Sequence, residues 1–307
     1  MIHTVTVNPA LDLTYRVSEV RYDDTVRARE VLRAAGGKGV NVSRVATRLG
    51  HATVTMGFAG GRAGDEILDL LRAEGVKTWF ARHDAPTRTN AIIQDDHGHQ
   101  LRVSGPGPEV RPDEVDALVD SVFELRAPDF LVLSGSLLPG VPSDLYARIA
   151  ERAAGEGVAT VVDADRELVS ALEAGVALIK PNAYELGRLV GRDIAGVDDA
   201  RAAAEEAHGM GARTVVCSLG PDGALWLSEE GSWHAVPPEI TVDSPLGSGD
   251  SLLAGLLVAM AEQRPPDEAL RLGVACGTAT ATTPGTDLCH REDVEALLSG
   301  VRVERLD

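Results

Sequence analysis

From about residue 112 the chain alternates helix-period stretches with short apolar runs, and this alternation limits the possible folds more than any other feature. Pro112 begins a stretch in which valine and leucine recur at helical spacing as far as Val122. Residues 130–133 then form the continuous apolar run that a strand buried on both faces requires. The pattern predicts an α/β fold in which helices pack on a mostly parallel sheet.

Composition agrees with one large domain of this class. Of the 307 residues, 44% are hydrophobic but only 4% aromatic, so the core must be aliphatic, which disfavours an aromatic-rich β-sandwich. No internal repeat, linker or low-complexity tract divides the chain. We therefore expect a single domain spanning residues 1–307.

Charge and cysteine usage exclude several classes of function. The net charge is −18, from 47 acidic and 29 basic residues, so neither nucleic acid nor a membrane is expected as a partner. No apolar run has the length of a membrane span, and residues 1–7 alternate like a strand and do not resemble a signal peptide. The widely spaced Cys217, Cys276 and Cys289 indicate no zinc site and no disulfide framework. A cytoplasmic location is the expectation.

Two separated segments predict a small second sheet. The segment at about 12–35 contains short, partly alternating strands with charged outer positions, and the segment at about 87–105 has the pattern of a β-hairpin. We expect the two segments to form an exposed antiparallel lid beside the main sheet. Further along, residues 224–227 and 232–236 predict a hairpin at the edge of the main sheet.

The turn at residues 244–250 leads directly into an apolar helical pattern. Gly247 and Gly249 lack a Cβ, so the backbone can approach a ligand closely. The free N–H groups of a helix N-terminus suit an anion such as phosphate, and Asp250 stands where it could accept the proton of a hydroxyl. The alternative is an ordinary helix start with Asp250 as N-cap.

A second glycine-rich turn, residues 35–42, also precedes a helical pattern. Lys38 is followed by glycine, so this is not a Walker A loop. Lys38 could place a charge near a phosphate, and Asn41 could hydrogen-bond sugar hydroxyls. The alternative for Lys38 is a solvent-facing side chain beside a tight turn.

Further polar residues follow predicted strands, where loops face the ligand crevice of a parallel sheet. Asp12 comes after the first strand and is a candidate for hydroxyl binding, or part of a simple Asn-Pro turn. Arg88, at the base of the hairpin, could clamp a phosphate or sugar, or be an exposed structural arginine. Residues 134–140 form a third loop of small residues at a strand end.

Asn182 and Glu185 have the spacing of a helix capping box. The functional alternative is that both line the nucleotide side and hold magnesium through water, since magnesium needs few protein ligands.

Taken together, the motifs resemble the pfkB family of the ribokinase superfamily, in particular the subgroup of 1-phosphofructokinases and tagatose-6-phosphate kinases. The resemblance covers nearly the whole chain. It is carried by Thr-Val-Asn-Pro-Ala-Leu-Asp (6–12), Ala-Gly-Gly-Lys-Gly-Val-Asn-Val (35–42), Ser-Gly-Ser-Leu-x-Pro-Gly (134–140), Lys-Pro-Asn-x-x-Glu (180–185), Ser-Leu-Gly-x-x-Gly (218–223) and Gly-Ser-Gly-Asp (247–250).

The resemblance implies a doubly wound α/β domain with a small β-sheet lid, and ATP-dependent phosphorylation of a sugar phosphate with Mg²⁺. Asp250 would be the general base, and the anion hole would consist of Gly247, Ser248 and Gly249. The sugar phosphate would be bound by Asp12, Arg27, Gly36, Gly37, Lys38, Asn41, Arg88 and Ser136. The nucleotide side would comprise Asn182, Ser218, Gly220 and Gly223, with Glu185 toward the metal.

The expected reaction converts fructose 1-phosphate to fructose 1,6-bisphosphate. Alternatives within the family are a tagatose-6-phosphate kinase or a 6-phosphofructokinase, and the alternative from another class is a non-catalytic sugar-phosphate sensor. The chain departs from the family pattern at Val26, Leu138, Arg102 and Ser104, which lie near the sugar side and therefore concern substrate identity. A homodimer through the lid is expected, because an exposed sheet favours burial.

Overall fold

The computed structural model describes residues 1–22, 24–165 and 167–306, which form a ten-stranded main sheet and a four-stranded lid. The main sheet contains β1 (Ile2–Thr6), β4 (Thr53–Ala59), β5 (Lys77–Arg82), β8 (Phe130–Ser134), β9 (Ala159–Asp163), β10 (Val176–Ile179), β11 (Ala212–Ser218), β12 (Ala224–Ser228), β13 (Gly231–Val236) and β14 (Arg302–Arg305). The lid contains β2 (Ala10–Val17), β3 (Glu30–Gly36), β6 (Arg88–Asp95) and β7 (Gln100–Val103).

The helices are α1 (Lys38–Arg48), α2 (Gly61–Ala73), α3 (Pro112–Phe123), α4 (Leu145–Gly155), α5 (Leu168–Glu173), α6 (Ala183–Val190), α7 (Val197–Gly209), α8 (Ser248–Ala261), α9 (Pro266–Ala281) and α10 (Arg291–Leu298). Within the described residues, none of them is both long enough and apolar enough to cross a bilayer.

The main sheet has the order β14-β13-β12-β11-β10-β9-β8-β1-β4-β5. Strand β1 pairs in parallel with both β4 and β8. The chain therefore builds outward first on one side of β1 and then on the other, and a ligand crevice is expected at the carboxyl ends of β1 and β8, where the direction reverses.

Helices cover both faces of the sheet, because successive strand residues point to opposite sides. In β8, Leu131 and Leu133 pack in a core with α3, α4 and α7, whereas Val132 packs in a second core with α1, α8 and α9. The continuous apolar run at 130–133 is thus a strand buried on both faces, as the sequence predicts.

The predicted hairpin of β12 and β13 forms, but it is not the edge of the sheet. Strand β14 pairs antiparallel with β13, with Trp233 opposite Arg305. Its sequence, Arg-Val-Glu-Arg, has too little apolar character to be recognised as a strand, since it lies at the exposed edge and buries little surface.

The lid has the order β3-β2-β6-β7 and is not fully antiparallel. Strands β2 and β6 run in parallel, while β3 and β7 are antiparallel to their neighbours. Both β2 and β6 continue from the carboxyl ends of parallel main-sheet strands, β1 and β5, and so leave the main sheet in the same direction. The segments that the sequence assigns to a small separate sheet do pair with each other, but with this parallel contact at the centre.

Candidate active site

The Gly247–Asp250 turn is the start of α8, and its geometry requires glycine. Gly247 has a φ of 81°, and a Cβ on it would lie 2.5 Å from a methyl carbon of Leu288. The N–H of Ser248 donates to Pro245 O at 3.3 Å, whereas no acceptor for the N–H of Gly249 is found within the described residues. A donor at a helix N-terminus is therefore left for a ligand.

Asp250 does not cap α8, so the N-cap interpretation is wrong. The N-cap is Gly247, and Asp250 lies in the first turn with its side chain directed toward α1. Asn41 Nδ2 donates to Asp250 Oδ2 at 2.8 Å, and the residue is only 9% exposed. The two glycine-rich turns therefore meet through this hydrogen bond.

The environment of Asp250 favours its protonated form more than water does. Burial and the neighbouring negative charge of Asp163 raise the pKa of Asp250 to about 6, against the opposing hydrogen bond from Asn41 and the charges of Lys38 and Lys180. A carboxyl with a pKa near 6 can accept and release a proton close to neutral pH.

The side chain of Lys38 forms ion pairs inside the protein, in contrast to the alternative in which it extends into solvent. Its Nζ lies 2.8 Å from Asp163 Oδ1 and 3.7 Å from Glu185 Oε1. Burial would lower the pKa of Lys38, but the charges of Asp163 and Glu185 outweigh it and raise the pKa above its usual value. Lys38 is therefore a fixed positive charge.

Asp163 and Lys180 also belong to this cluster, although neither is among the site residues predicted from the sequence. Asp163 ends β9 and Lys180 follows β10, and their side chains are 1% and 5% exposed. Lys180 Nζ lies 3.4 Å from Asp163 Oδ2 and 3.3 Å from where a Cβ on Gly249 would stand. The available signal was a charged residue at the carboxyl end of each apolar strand, the same signal that selected Asp12.

A cavity of about 240 Å³ opens between the Gly247–Asp250 turn and the lid. Strand pleating directs Asp12, Asn90, Ile92 and Arg102 toward the crevice, because they are matched across β2, β6 and β7. The cavity is lined by Asp12, Gly37, Lys38, Asn41, Ile92, Arg102, Leu246, Gly247, Asp250, Thr286 and Leu288.

Asp12 is buried in the wall of this cavity. Its Oδ1 accepts a hydrogen bond from Asn90 Nδ2 at 2.7 Å, and a Cβ on Gly36 would lie 2.2 Å from its Oδ2. Glycine at 36 is thus required for this carboxylate to fit. Burial raises the pKa of Asp12, although the hydrogen bond from Asn90 opposes the shift.

A second cavity of about 360 Å³ adjoins the first and shares Gly37, Lys38 and Arg102 with it. Its remaining lining residues are Thr6, Asn8, Arg88, Asn90, Gly135, Ser136, Asp165, Glu167 and Glu185. Lys38 and Arg102 are therefore the positive charges where the two cavities meet.

The two lid arginines that line the cavities, Arg88 and Arg102, differ in their contacts. Arg88 donates to Asn8 O at 2.9 Å and to Gly105 O at 2.9 Å, so it holds the lid to neighbouring loops as well as lining the second cavity. The guanidinium of Arg102 has no hydrogen bond or ion pair with any described residue, and Arg102 lines both cavities. In the sequence, Arg102 is recognisable only as a departure from the family pattern.

Asn182 and Glu185 form the predicted capping box at the start of α6. Asn182 Oδ1 accepts from Glu185 N at 2.8 Å, and Glu185 Oε2 accepts from Asn182 N at 2.9 Å. Glu185 also lines the second cavity, with Oε1 directed toward Lys38. Capping and a ligand role are thus compatible for this residue.

Eight predicted residues line neither cavity. Gly36, Ser248 and Gly249 are chain neighbours of residues that line the first cavity, and Asn182 is the N-cap of α6. The other four are Arg27, Ser218, Gly220 and Gly223. Arg27 is exposed between β2 and β3. Ser218 forms an isolated bridge with Asn182, and Gly220 and Gly223 belong to the short 3₁₀ turn that follows β11. These last three adjoin the amino end of α6.

Comparison with known proteins identifies the family of the chain. The model of the pfkB family carbohydrate kinases matches residues 5–293. A 1-phosphofructokinase of Bacillus subtilis is 35% identical over 307 residues, covering 100% of both chains. Phosphofructokinase-2 from Escherichia coli, solved in complex with fructose-6-phosphate, is 33% identical with a TM-score of 0.91, covering 97% of this chain and 98% of that one.

The fold has a wider distribution than the family. Arabidopsis thaliana ribokinase, solved with ribose and ATP, superposes with a TM-score of 0.76 at 20% identity, covering 97% of this chain and 98% of that one. The predicted fold, a doubly wound and mostly parallel sheet with helices on both faces and a small β-sheet lid, is thereby confirmed. Through its family match, its full-length relatives and its motifs, the chain belongs to the pfkB family of carbohydrate kinases.

Proposed function

We propose that this chain transfers the γ-phosphoryl group of ATP to a hydroxyl of a ketohexose phosphate, and that its acceptor is fructose 1-phosphate, which becomes fructose 1,6-bisphosphate. The observation that carries the proposal is the buried Asp250 carboxylate. It lies at a helix N-terminus and faces a polar cavity that adjoins a second one.

The first cavity supplies the groups that a sugar phosphate requires. Asp12 and Asn41 can bind hydroxyls, and Arg102 is an available guanidinium for the phosphate. Asp250 would accept the hydroxyl proton as the hydroxyl oxygen bonds to the γ-phosphorus and the bond to the leaving ADP oxygen breaks. The N–H groups of Gly247 and Gly249 would stabilise the charge on the transferred group, and the N–H of Ser248 would join them by exchanging its 3.3 Å bond to Pro245 O for the ligand.

The second cavity is the proposed path toward the nucleotide. The residues proposed for the nucleotide, Asn182, Ser218, Gly220 and Gly223, adjoin it through α6. Arg88 and Ser136, which are proposed to bind the sugar phosphate, also line this cavity, so the two ligands would meet there. ATP would bring its triphosphate toward Lys38, where the two cavities meet.

The residues present fit a magnesium ion held mainly by the nucleotide. Within the described residues no group of three or more histidine, cysteine or acidic side chains could hold a metal by itself. Glu185 Oε1 is directed into the second cavity, which Asp165 and Glu167 also line, so carboxylates can bind the waters of a hydrated ion. Magnesium would supply charge neutralisation on the triphosphate.

Substrate choice is tested by a coupled assay with ATP and Mg²⁺ across fructose 1-phosphate, fructose 6-phosphate, tagatose 6-phosphate and unphosphorylated hexoses. The full-length 1-phosphofructokinase relative favours fructose 1-phosphate, and we expect the highest kcat/KM with it. A higher kcat/KM with one of the other two phosphates would reassign the substrate. If no sugar phosphate is consumed, the kinase proposal is refuted and the non-catalytic sugar-phosphate sensor remains as the alternative function.

The role of Asp250 is tested by Asp250→Asn, which keeps the shape and loses the base. We expect kcat to fall by about 10²- to 10⁴-fold while the sugar phosphate still binds in calorimetry. Turnover at the wild-type rate would remove Asp250 from the mechanism.

We also propose a homodimer through the lid. The face of the lid turned away from the crevice carries a row formed by Val31, Tyr15, Ile93 and Leu101 across all four strands, of which Val31 is 45% and Leu101 37% exposed. Such a row favours burial against a second copy. Light scattering should give a dimer for the wild type and a monomer for Val31→Glu; a wild-type monomer contradicts the proposal.

The cytoplasm is the compartment we propose for this activity. Cys217, Cys276 and Cys289 are buried as free thiols, which suits a reducing environment, and ATP is the expected phosphoryl donor. Localisation of a tagged chain in cell fractions tests this assignment.

A further inference from the structure

The ion cluster behind the Gly247–Asp250 turn contains a carboxylate that touches neither cavity. Asp163 is 1% exposed and lies between two ammonium groups, with Lys38 Nζ 2.8 Å from Oδ1 and Lys180 Nζ 3.4 Å from Oδ2. Each carboxylate oxygen thus faces its own lysine. An amide could not replace it, because an amide has only one acceptor atom.

The two lysines occupy the positions that matter for a transferred phosphoryl group. Lys38 stands where the two cavities meet, and Lys180 Nζ lies against Gly249 at the start of α8. Long ammonium side chains lose considerable rotational freedom when held in place, and like charges so close together repel each other. A buried carboxylate between them offsets both costs.

We infer that Asp163 is a positioning residue for phosphoryl transfer, which holds Lys38 and Lys180 in place beside the Gly247–Asp250 turn so that both cations neutralise the group in transit. The inference rests on the proposed function. In this inference Lys38 and Lys180 supply the positive charge, and Asp163 fixes the position of both lysines without contacting the substrate.

The same geometry links Asp163 to the ionisation of Asp250. The charged groups that act on Asp250 are Asp163 from β9, Lys38 from α1 and Lys180 from the segment after β10, with Asn41 as hydrogen-bond donor. The Asp163 charge raises the pKa of Asp250 and the lysine charges lower it. Removing Asp163 or Lys180 should therefore move the acid limb of the kcat–pH profile in opposite directions.

The test compares wild type, Asp163→Asn, Asp163→Glu and Lys180→Met in steady-state kinetics over pH. For Asp163→Asn we expect a loss in kcat of about hundredfold, a sugar-phosphate KM within about threefold of wild type, and an acid limb shifted to lower pH. Asp163→Glu restores the charge without the exact position, so its acid limb should return to that of wild type while kcat recovers only in part. Lys180→Met should lower kcat and shift the acid limb to higher pH.

Glu74→Gln is the matched control. Glu74 also bridges two cations, with Arg44 Nη2 at 2.7 Å and Arg48 Nη2 at 3.4 Å, but lies outside both cavities. This variant should melt at a lower temperature and retain the kcat and pH profile of wild type.

Folded Asp163→Asn with kcat within about threefold of wild type, or with an unmoved acid limb, would overturn the inference. If Asp163→Asn does not fold, Lys180→Met decides: wild-type kcat with an unmoved limb overturns the inference, and the predicted upward shift with lower kcat supports it. Failure of the proposed function gives a different result, because the wild-type enzyme then consumes no sugar phosphate at any pH.

Discussion

The hydrogen bond between Asn41 and Asp250 should lower the pH at which the enzyme loses activity. Asp250 must be ionised to accept a proton, and its pKa is raised to about 6, so wild-type kcat/KM should fall as the pH drops through about 6. Asn41 Nδ2 donates to Asp250 Oδ2 at 2.8 Å and stabilises the ionised form. Asn41→Ala removes this donor and should move the loss of activity to higher pH.

The size of the shift follows from the hydrogen bond. A hydrogen bond to a charged group contributes about 1.5–3 kcal/mol, and one pKa unit corresponds to about 1.4 kcal/mol, so the pKa of Asp250 should rise by about one to two units. At neutral pH wild-type Asp250 would be about nine-tenths ionised, and a variant raised by one unit about half ionised.

The assay is kcat/KM for the sugar phosphate, measured between about pH 5 and about pH 9. Asn90→Ala is the matched control, since Asn90 donates to Asp12 at 2.7 Å and lines the second cavity, yet does not contact Asp250. We expect Asn90→Ala to change KM and leave the acid limb in place. Coincident acid limbs for wild type and Asn41→Ala would refute the reasoning.

Further predictions concern stability and substrate affinity. Both ring nitrogens of His3 are buried without a hydrogen-bond partner among the described residues, and burial lowers the pKa of His3 to about 4. Between about pH 7 and about pH 5 the unfolded chain therefore takes up a proton at His3 that the folded chain does not. As the pH is lowered over this range, the free energy of unfolding of wild type should fall by about 2 kcal/mol relative to that of His3→Leu, as measured by denaturant unfolding. Gly255→Ala places a Cβ 2.8 Å from Cys276 Sγ, at the contact between α8 and α9, and should destabilise the protein by about 1–3 kcal/mol. The Cβ of Gly155→Ala would meet nothing within 4 Å, so this variant should stabilise the protein by up to about 1 kcal/mol. Thermal denaturation measures both effects. Arg102→Ala should raise the sugar-phosphate KM by about tenfold or more at an unchanged melting temperature, and Arg88→Ala should lower the melting temperature because three carbonyl contacts are lost.

Local pattern determined most of the fold. The apolar runs and helical periods of residues 112–298 locate the strands and helices because each element buries a continuous face in one of the two cores. Strand β14 was not predicted, because an exposed edge strand needs no apolar pattern. The parallel pairing of β2 with β6 also could not be predicted, because it depends on the direction in which both leave the main sheet.

Some features of the candidate site could be predicted from the sequence, and others depend on the tertiary structure. Glycine turns and charged residues at strand ends marked Asp12, Lys38 and Asp250 in the sequence, since close backbone approach and helix N-termini carry recognisable residue types. Only the tertiary structure showed that Asn41, 209 residues before Asp250, donates to it. Only the structure showed that Asp163 joins Lys38 to Lys180, because a contact between strand ends depends on their order in the sheet and not on their spacing in the chain.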